Sequence, residues 1–251
     1  MLIERIKFFT LLVLFFTHSL SHADEVNIAV AANFKGPMQH IAPAFEQATG
    51  HKAVIAYGTV GKFYAQIHNG APFDVLISAD RETPARLEQD GLALTESRFT
   101  YAIGKLVLWS AQPGFVDGRG NVLIQSDFKH LAIANPKVAV YGAAAFDTLS
   151  KLGLNKHLQS RFVLGENITQ AYQFVSTGNA ELGFVAWSQI YEEGRKVQGS
   201  YWVVPEDLYP RIRQDAVLLV RGKDNDAAKD LLTYLGSDAA KSIIRRYGYD
   251  N

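Results

Sequence analysis

The feature that most constrains this chain is a rhythm of short β-rich runs alternating with longer segments of helical periodicity. Val26-Asn27-Ile28-Ala29-Val30 reads as a strand. Pro37 to Thr49 follows, with Met38, Ile41, Ala44 and Phe45 at helical spacing and Gly50 where a C-cap belongs. Strands are then expected at Ala53–Tyr57 and Val75–Ser78, with helices at Lys62–His68 and Thr83–Gln89. Strand, helix, strand in this order builds a parallel sheet with helices on its faces. The series resumes after Leu106-Val107-Leu108-Trp109. Strands are expected at Leu131–Ala134, Arg161–Leu164 and Leu182–Val185, and helices at Ala143–Leu152 and Thr169–Thr177. A strand at Ala216–Val220 precedes helices at Asp226–Leu235 and Asp238–Tyr247. We read an α/β chain of two lobes, each a mostly parallel sheet flanked by helices. The chain crosses between lobes near Tyr101–Lys105 and again near Glu206–Gln214, and its C-terminal helices return to the first lobe. The lobes are then 24–104 plus 207–251, and 105–206.

Residues 1–23 stand apart from this rhythm. Arg5 and Lys7 precede an apolar run from Phe8 to Phe16, and Ser21-His22-Ala23 follows. A charged start, a short apolar core and a small-x-small tripeptide make a cleavable export signal. With no cysteine in the chain, disulfides, a thiol nucleophile and a lipid-anchored N-terminal cysteine are all excluded. The expected location is therefore the periplasm. The 25 basic and 25 acidic side chains cancel, so the chain lacks the positive field that holds a nucleic-acid backbone.

Four strand-to-helix junctions have the composition of an anion site: Ala31-Ala32-Asn33-Phe34, Gly58-Thr59-Val60-Gly61, Tyr141-Gly142 after Asn135, and Glu166-Asn167-Ile168-Thr169. In open α/β sheets, ligands collect beyond the carboxyl ends of the strands. Small residues let backbone N–H groups approach closely, and a helix start adds unsatisfied donors and a positive dipole end. Asn33, Thr59 and Tyr141 can each add a neutral side-chain donor. No arginine occurs in these junctions, so the donors are dipoles rather than countercharges. Lys35 and Lys62 lie nearby and are expected on solvated helix surfaces.

Rival chemistries lack their parts. Gly58-Thr59-Val60-Gly61-Lys62-Phe63 is too short for a phosphate loop and has no hydroxyl after its lysine. The histidines after residue 23 form no metal-ligand spacing. Asp74 and Asp80 flank a strand, where capping and salt bridging are expected ahead of paired-carboxylate catalysis. No Gly-x-Ser-x-Gly sequence is present. The chain is not expected to be an enzyme or to carry a cofactor.

At the same junctions the sequence resembles the periplasmic molybdate-binding family, components of ABC importers. The resemblance rests on Ala31-Ala32-Asn33-Phe34, Asn69 to Val75 with Ile77-Ser78-Ala79-Asp80, and Ala134-Asn135-Pro136 leading to Tyr141-Gly142. Glu181 to Val185 and Arg246-Tyr247-Gly248-Tyr249 complete it. It implies a two-lobed periplasmic binding protein fold of type II. It also implies a monomer that holds molybdate or tungstate in the interlobe cleft and delivers it to a membrane permease. By position, the contacts would come from Ala32, Asn33, Val60, Tyr141 and Ile168, with Thr59 their neighbour. Ala32 and Val60 stand where family members often carry hydroxyls, and Ala186 where one branch carries a tyrosine. Tyr141 would supply a phenol from another loop. A receptor for a different oxyanion such as sulfate, an exported enzyme, and a solute sensor using the same cleft stay open at this point.

Overall fold

The computed structural model describes residues 24–125 and 127–250, so the expected export signal lies outside the described residues. Among the described residues, ten strands are distributed over two five-stranded sheets. The first contains β1 (Glu25–Ala31), β2 (Lys52–Gly58), β3 (Val75–Ile77), β4 (Phe99–Gly104) and β10 (Ile212–Leu218), in the order β2-β1-β3-β10-β4. The second contains β5 (Leu106–Ser110), β6 (Leu131–Ala134), β7 (Phe162–Gly165), β8 (Leu182–Ala186) and β9 (Ser200–Val203), in the order β7-β6-β8-β5-β9. The two orders are the same pattern.

In each sheet four strands share one direction and a single strand runs against them, so the sheets are mixed but mostly parallel, as the sequence leads one to expect. β1 pairs parallel with β2 and β3, whereas β10 runs antiparallel to β3 and β4. β6 likewise pairs parallel with β7 and β8, and β5 antiparallel with β8 and β9. The reason is the crossing of the chain. β4 hands over directly to β5, and β9 leads back into β10, so the strand entering each lobe runs against its neighbours.

Helices cover both faces of each sheet. They are α1 (Lys35–Thr49), α2 (Val60–His68), α3 (Glu82–Gln89), α4 (Val122–Gln125), α5 (Val140–Lys151), α6 (Asn155–Leu158), α7 (Ile168–Ser176), α8 (Trp187–Ile190), α9 (Asp226–Leu235) and α10 (Asp238–Arg246). Strands buried on both sides read as continuous apolar runs. Thus Val26, Ile28 and Val30 of β1 join one core with Phe34, Met38, Ile41 and Phe45, while Ala29 joins a second core with Phe63, Ile67 and Leu87. Side-chain alternation along a strand produces this division. Leu231, Leu235 and Ile244 bring α9 and α10 back onto the first core. Asn225 and Ser237 cap those two helices by accepting from the Ala228 and Ala240 amides. α1 stops at Gly50, whose φ of 79° supplies the left-handed turn.

Candidate functional site: the interlobe cleft

Four helices start at the carboxyl ends of β1, β2, β6 and β7, all facing the cleft. The β1 end enters a 3-10 turn, Ala32–Phe34, that runs into α1. Thr59 caps α2: its Oγ1 accepts from the Lys62 amide, which leaves the hydroxyl proton to donate elsewhere. Asn167 caps α7 in the same way, accepting from Gln170. α5 begins without a side-chain cap after Ala139. Each first turn leaves backbone N–H groups with no partner inside its own helix.

These starts enclose a cavity of about 20 Å³. Ala32, Asn33, Thr59, Val60, Tyr141 and Ile168 all line it, so the six residues singled out from sequence come together in one place. Ala31, Gly58, Ala79, Ala139, Val140 and Asn167 complete the wall, and none of the lining residues is charged. About 10–15 Å³ of such volume admits one water, so a compact, roughly spherical ion is the size of occupant that fits.

Contacts between the lobes close the cavity. The Gly61 amide donates to the Val138 carbonyl at 3.3 Å, and Thr169 Oγ1 donates to the Ala32 carbonyl at 3.4 Å. Lys62 and Glu166 form an ion pair across the cleft beside it. Glu166, the one acid in the four junctions, is thereby engaged by a lysine and does not line the cavity. Lys35 sits over the Tyr57 ring at 5.8 Å.

The polar side chains at the site are held by one another. Asn33 Nδ2 donates to Gln214 Oε1 at 2.9 Å and to Tyr249 Oη at 3.0 Å. Ser188 Oγ and Tyr249 Oη both donate to the Asn33 carbonyl at 3.0 Å. Gln214 Nε2 donates to Tyr141 Oη at 3.1 Å. The amide of Asn33 and the phenol oxygen of Tyr141 therefore serve a buried network, where sequence reasoning expected direct donors to a ligand. Gln214, Ser188 and Tyr249 were not singled out from sequence. Only the motif Arg246-Tyr247-Gly248-Tyr249 carried a signal for any of them.

Burial pushes three phenols of this network up: Tyr249 to about 12, and Tyr101 and Tyr141 well above the ordinary tyrosine value of 10. A raised folded-state value favours the protonated fold. Its stabilising effect is complete below the unfolded value near 10 and disappears as pH rises toward the folded values. Urea unfolding followed from pH 9 to 12 is expected to show stability falling steeply above pH 10. Replacing Tyr249 with Phe should flatten that fall, and an unchanged profile would exclude Tyr249 as a source.

Asp74 and Asp80 have the structural roles expected of them. Asp74 accepts from the Asn27 amide, and Asp80 accepts from the amide and hydroxyl of Thr83 at the start of α3. Desolvation raises the Asp80 carboxyl despite its bonds to Ser78 and Thr83. Among the described residues no group of acids and histidines is arranged to hold a metal.

Comparison with known proteins gives a consistent picture. Residues 26–250 match the family described as bacterial extracellular solute-binding protein. The chain is 57% identical over 229 residues to the molybdate-binding protein ModA of Azotobacter vinelandii, covering 91% of each chain. It is 51% identical over 228 residues to ModA of Rhodobacter capsulatus, covering 90% of this chain and 88% of that one. The solved structure of the Azotobacter vinelandii periplasmic molybdate-binding protein superposes with a TM-score of 0.88 and 42% identity. That match spans 90% of this chain and 99% of the other.

Proposed function

The chain belongs to the bacterial extracellular solute-binding protein family, and from that premise we propose that it captures molybdate or tungstate in the interlobe cleft. It is a binding protein and not an enzyme. The observation that carries the ligand class is the small uncharged cavity where four helix starts from both lobes converge. Helix N-termini favour anions. A cavity with no carboxylate offers no charged acceptor to a protonated ligand, which favours a fully ionised oxyanion over hydrogen phosphate. Within that class, the identity to two molybdate-binding proteins supports molybdate, and tungstate enters this reading as its analogue in shape and charge.

The binding residues in this reading are Ala32, Asn33, Thr59, Val60, Tyr141 and Ile168. Backbone amides are the principal donors, because Ala32, Val60 and Ile168 have no polar side-chain atom. The lobes are 24–104 with 207–251, and 105–206. Because the ligand touches helix starts of both, its binding favours the closed arrangement. The protein works in the periplasm as a monomer, exported by a cleaved signal over residues 1–23. It hands its cargo to the permease of an ABC importer.

A thermal-shift and calorimetric panel of molybdate, tungstate, sulfate, phosphate and chromate on the mature chain tests this. Molybdate at 100 times its dissociation constant should stabilise the fold by about 2.7 kcal/mol, and phosphate should give no shift. If no oxyanion raises the melting temperature, the reading is lost. If sulfate matches molybdate, the assignment within the class is wrong.

A further inference from the structure

Gln214 is wholly buried in β10, a strand of the first lobe, yet no ligand reading of the sequence uses it. A buried carboxamide is costly unless its donors and acceptor are met. Here its bonds join both lobes. Oε1 accepts from Asn33 Nδ2 at 2.9 Å and lies 3.0 Å from the Tyr101 hydroxyl, while Nε2 donates across the cleft to Tyr141 Oη at 3.1 Å. Asn33 and Tyr141 both line the anion cavity, the first from lobe one and the second from lobe two.

Two backbone features serve this one side chain. The pairing of β10 with β4 shifts register between Gln214 and Asp215, which oppose Ala102 and Thr100 and leave Tyr101 as the extra residue. Such a bulge re-aims side chains, and here Tyr101 meets Gln214. At the crossing between lobes stands Gly104. A Cβ at that position would lie 2.5 Å from Gln214 Nε2 and closer still to Tyr141 Oη. The absent side chain leaves the space in which the amide and the phenol meet.

We propose that Gln214 is a positioning residue of the anion site, an amide of fixed polarity that couples the Asn33 turn to the α5 start when the lobes close. This rests on the oxyanion-binding reading above. Because the amide donates to Tyr141 Oη, that phenol's own proton must point away from Gln214. Because Oε1 accepts from Asn33, the Asn33 side chain is held and its turn is fixed against the cavity. The Tyr141 bond spans the lobes, so its loss loosens the closed form and acts mainly on ligand release.

The test is a double-mutant cycle with molybdate as probe: wild type, Gln214→Met, Tyr141→Phe and the double variant. Equilibrium affinity is measured by calorimetry and dissociation rate by stopped flow. Each single change is expected to weaken affinity about tenfold or more, most of it in dissociation rate. The double variant should lose clearly less than the sum of the two single losses, since one bond is common to both. Additive losses, or singles within twofold of wild type, would overturn the proposal while leaving oxyanion binding intact. A wild type that binds no oxyanion overturns both. If Gln214→Met does not fold, Gln214→Leu takes its place in the cycle, because it removes the donor to Tyr141 and adds no group that the phenol could bond.

Discussion

Gly142→Ala is expected to abolish measurable molybdate capture and to destabilise the fold by about 3 kcal/mol, the upper end for overpacking a filled interior. Gly142 lies in the first turn of α5, where alanine ordinarily favours helix by about 1 kcal/mol over glycine. Packing reverses the sign. A Cβ here would sit inside the van der Waals shell of the Ala134 carbonyl oxygen, 2.7 Å from the Ala134 carbonyl carbon and 3.1 Å from that of Asn135. These are backbone atoms at the end of β6, and Asn135 is itself tied by its amide to the Gly165 carbonyl at 2.7 Å. Neither side can yield locally, so α5 must back away from the sheet. Val140 and Tyr141 would leave the cavity wall with it. Calorimetry and urea unfolding on the same preparation check both effects. Retained affinity in a folded variant would mean that the α5 start does not contact the ligand.

The same helix shows how far sequence could reach. The small residues before Tyr141-Gly142, and those at the other three junctions, marked four helix starts beyond strand ends, because that backbone signal is local. β3, β6 and β8 are legible because burial on both faces makes their sequences uniformly apolar, and β1 because only Glu25 and Asn27 interrupt its apolar run. Gly50 marked the end of α1 for an equally local reason.

What escaped is what depends on distant partners. The sequence pattern starts β10 at Ala216 and reads Glu206–Gln214 as a crossing. The strand begins at Ile212 and runs through Arg213, Gln214 and Asp215, polar residues that break an apolar pattern. Gln214 finds Asn33 across 181 residues, and Tyr249 finds it across 216. A one-dimensional reading sees such side chains only as interruptions. β4 and β9 were missed for a simpler reason: they are edge strands, with Thr100, Tyr201 and Val203 exposed. The roles of Asn33 and Tyr141 were likewise visible as chemistry and invisible as geometry. Their polar atoms could be counted from sequence, but the partners occupying them could not.

Asp215 poses the same problem on the opposite face of β10, and the largest stability change is expected there. Arg98 Nε bonds Glu88 Oε2 at 2.9 Å and Arg98 Nη1 bonds Asp215 Oδ2 at 3.0 Å, while Thr100 Oγ1 donates to Asp215 Oδ1 at 2.7 Å. The carboxylates are 8% and 2% exposed, against 27% for the arginine, so two buried acids share one partly accessible cation. Such a cluster is weak evidence for net stability, because desolvation offsets most of the Coulomb gain. Removing the cation is different. Arg98→Met keeps much of the apolar stem and leaves two acids without their countercharge, at a cost of about 3–5 kcal/mol. For a domain of this size that lowers the melting temperature by about 10 °C. If charge is the cause, adding Glu88→Gln and Asp215→Asn to Arg98→Met should restore most of the loss, since neutral amides of the same shape need no cation. Urea unfolding of the single and triple variants decides it. A triple variant as unstable as Arg98→Met would assign the loss to the packing of the arginine stem between α3 and β10, and the charge argument would fail.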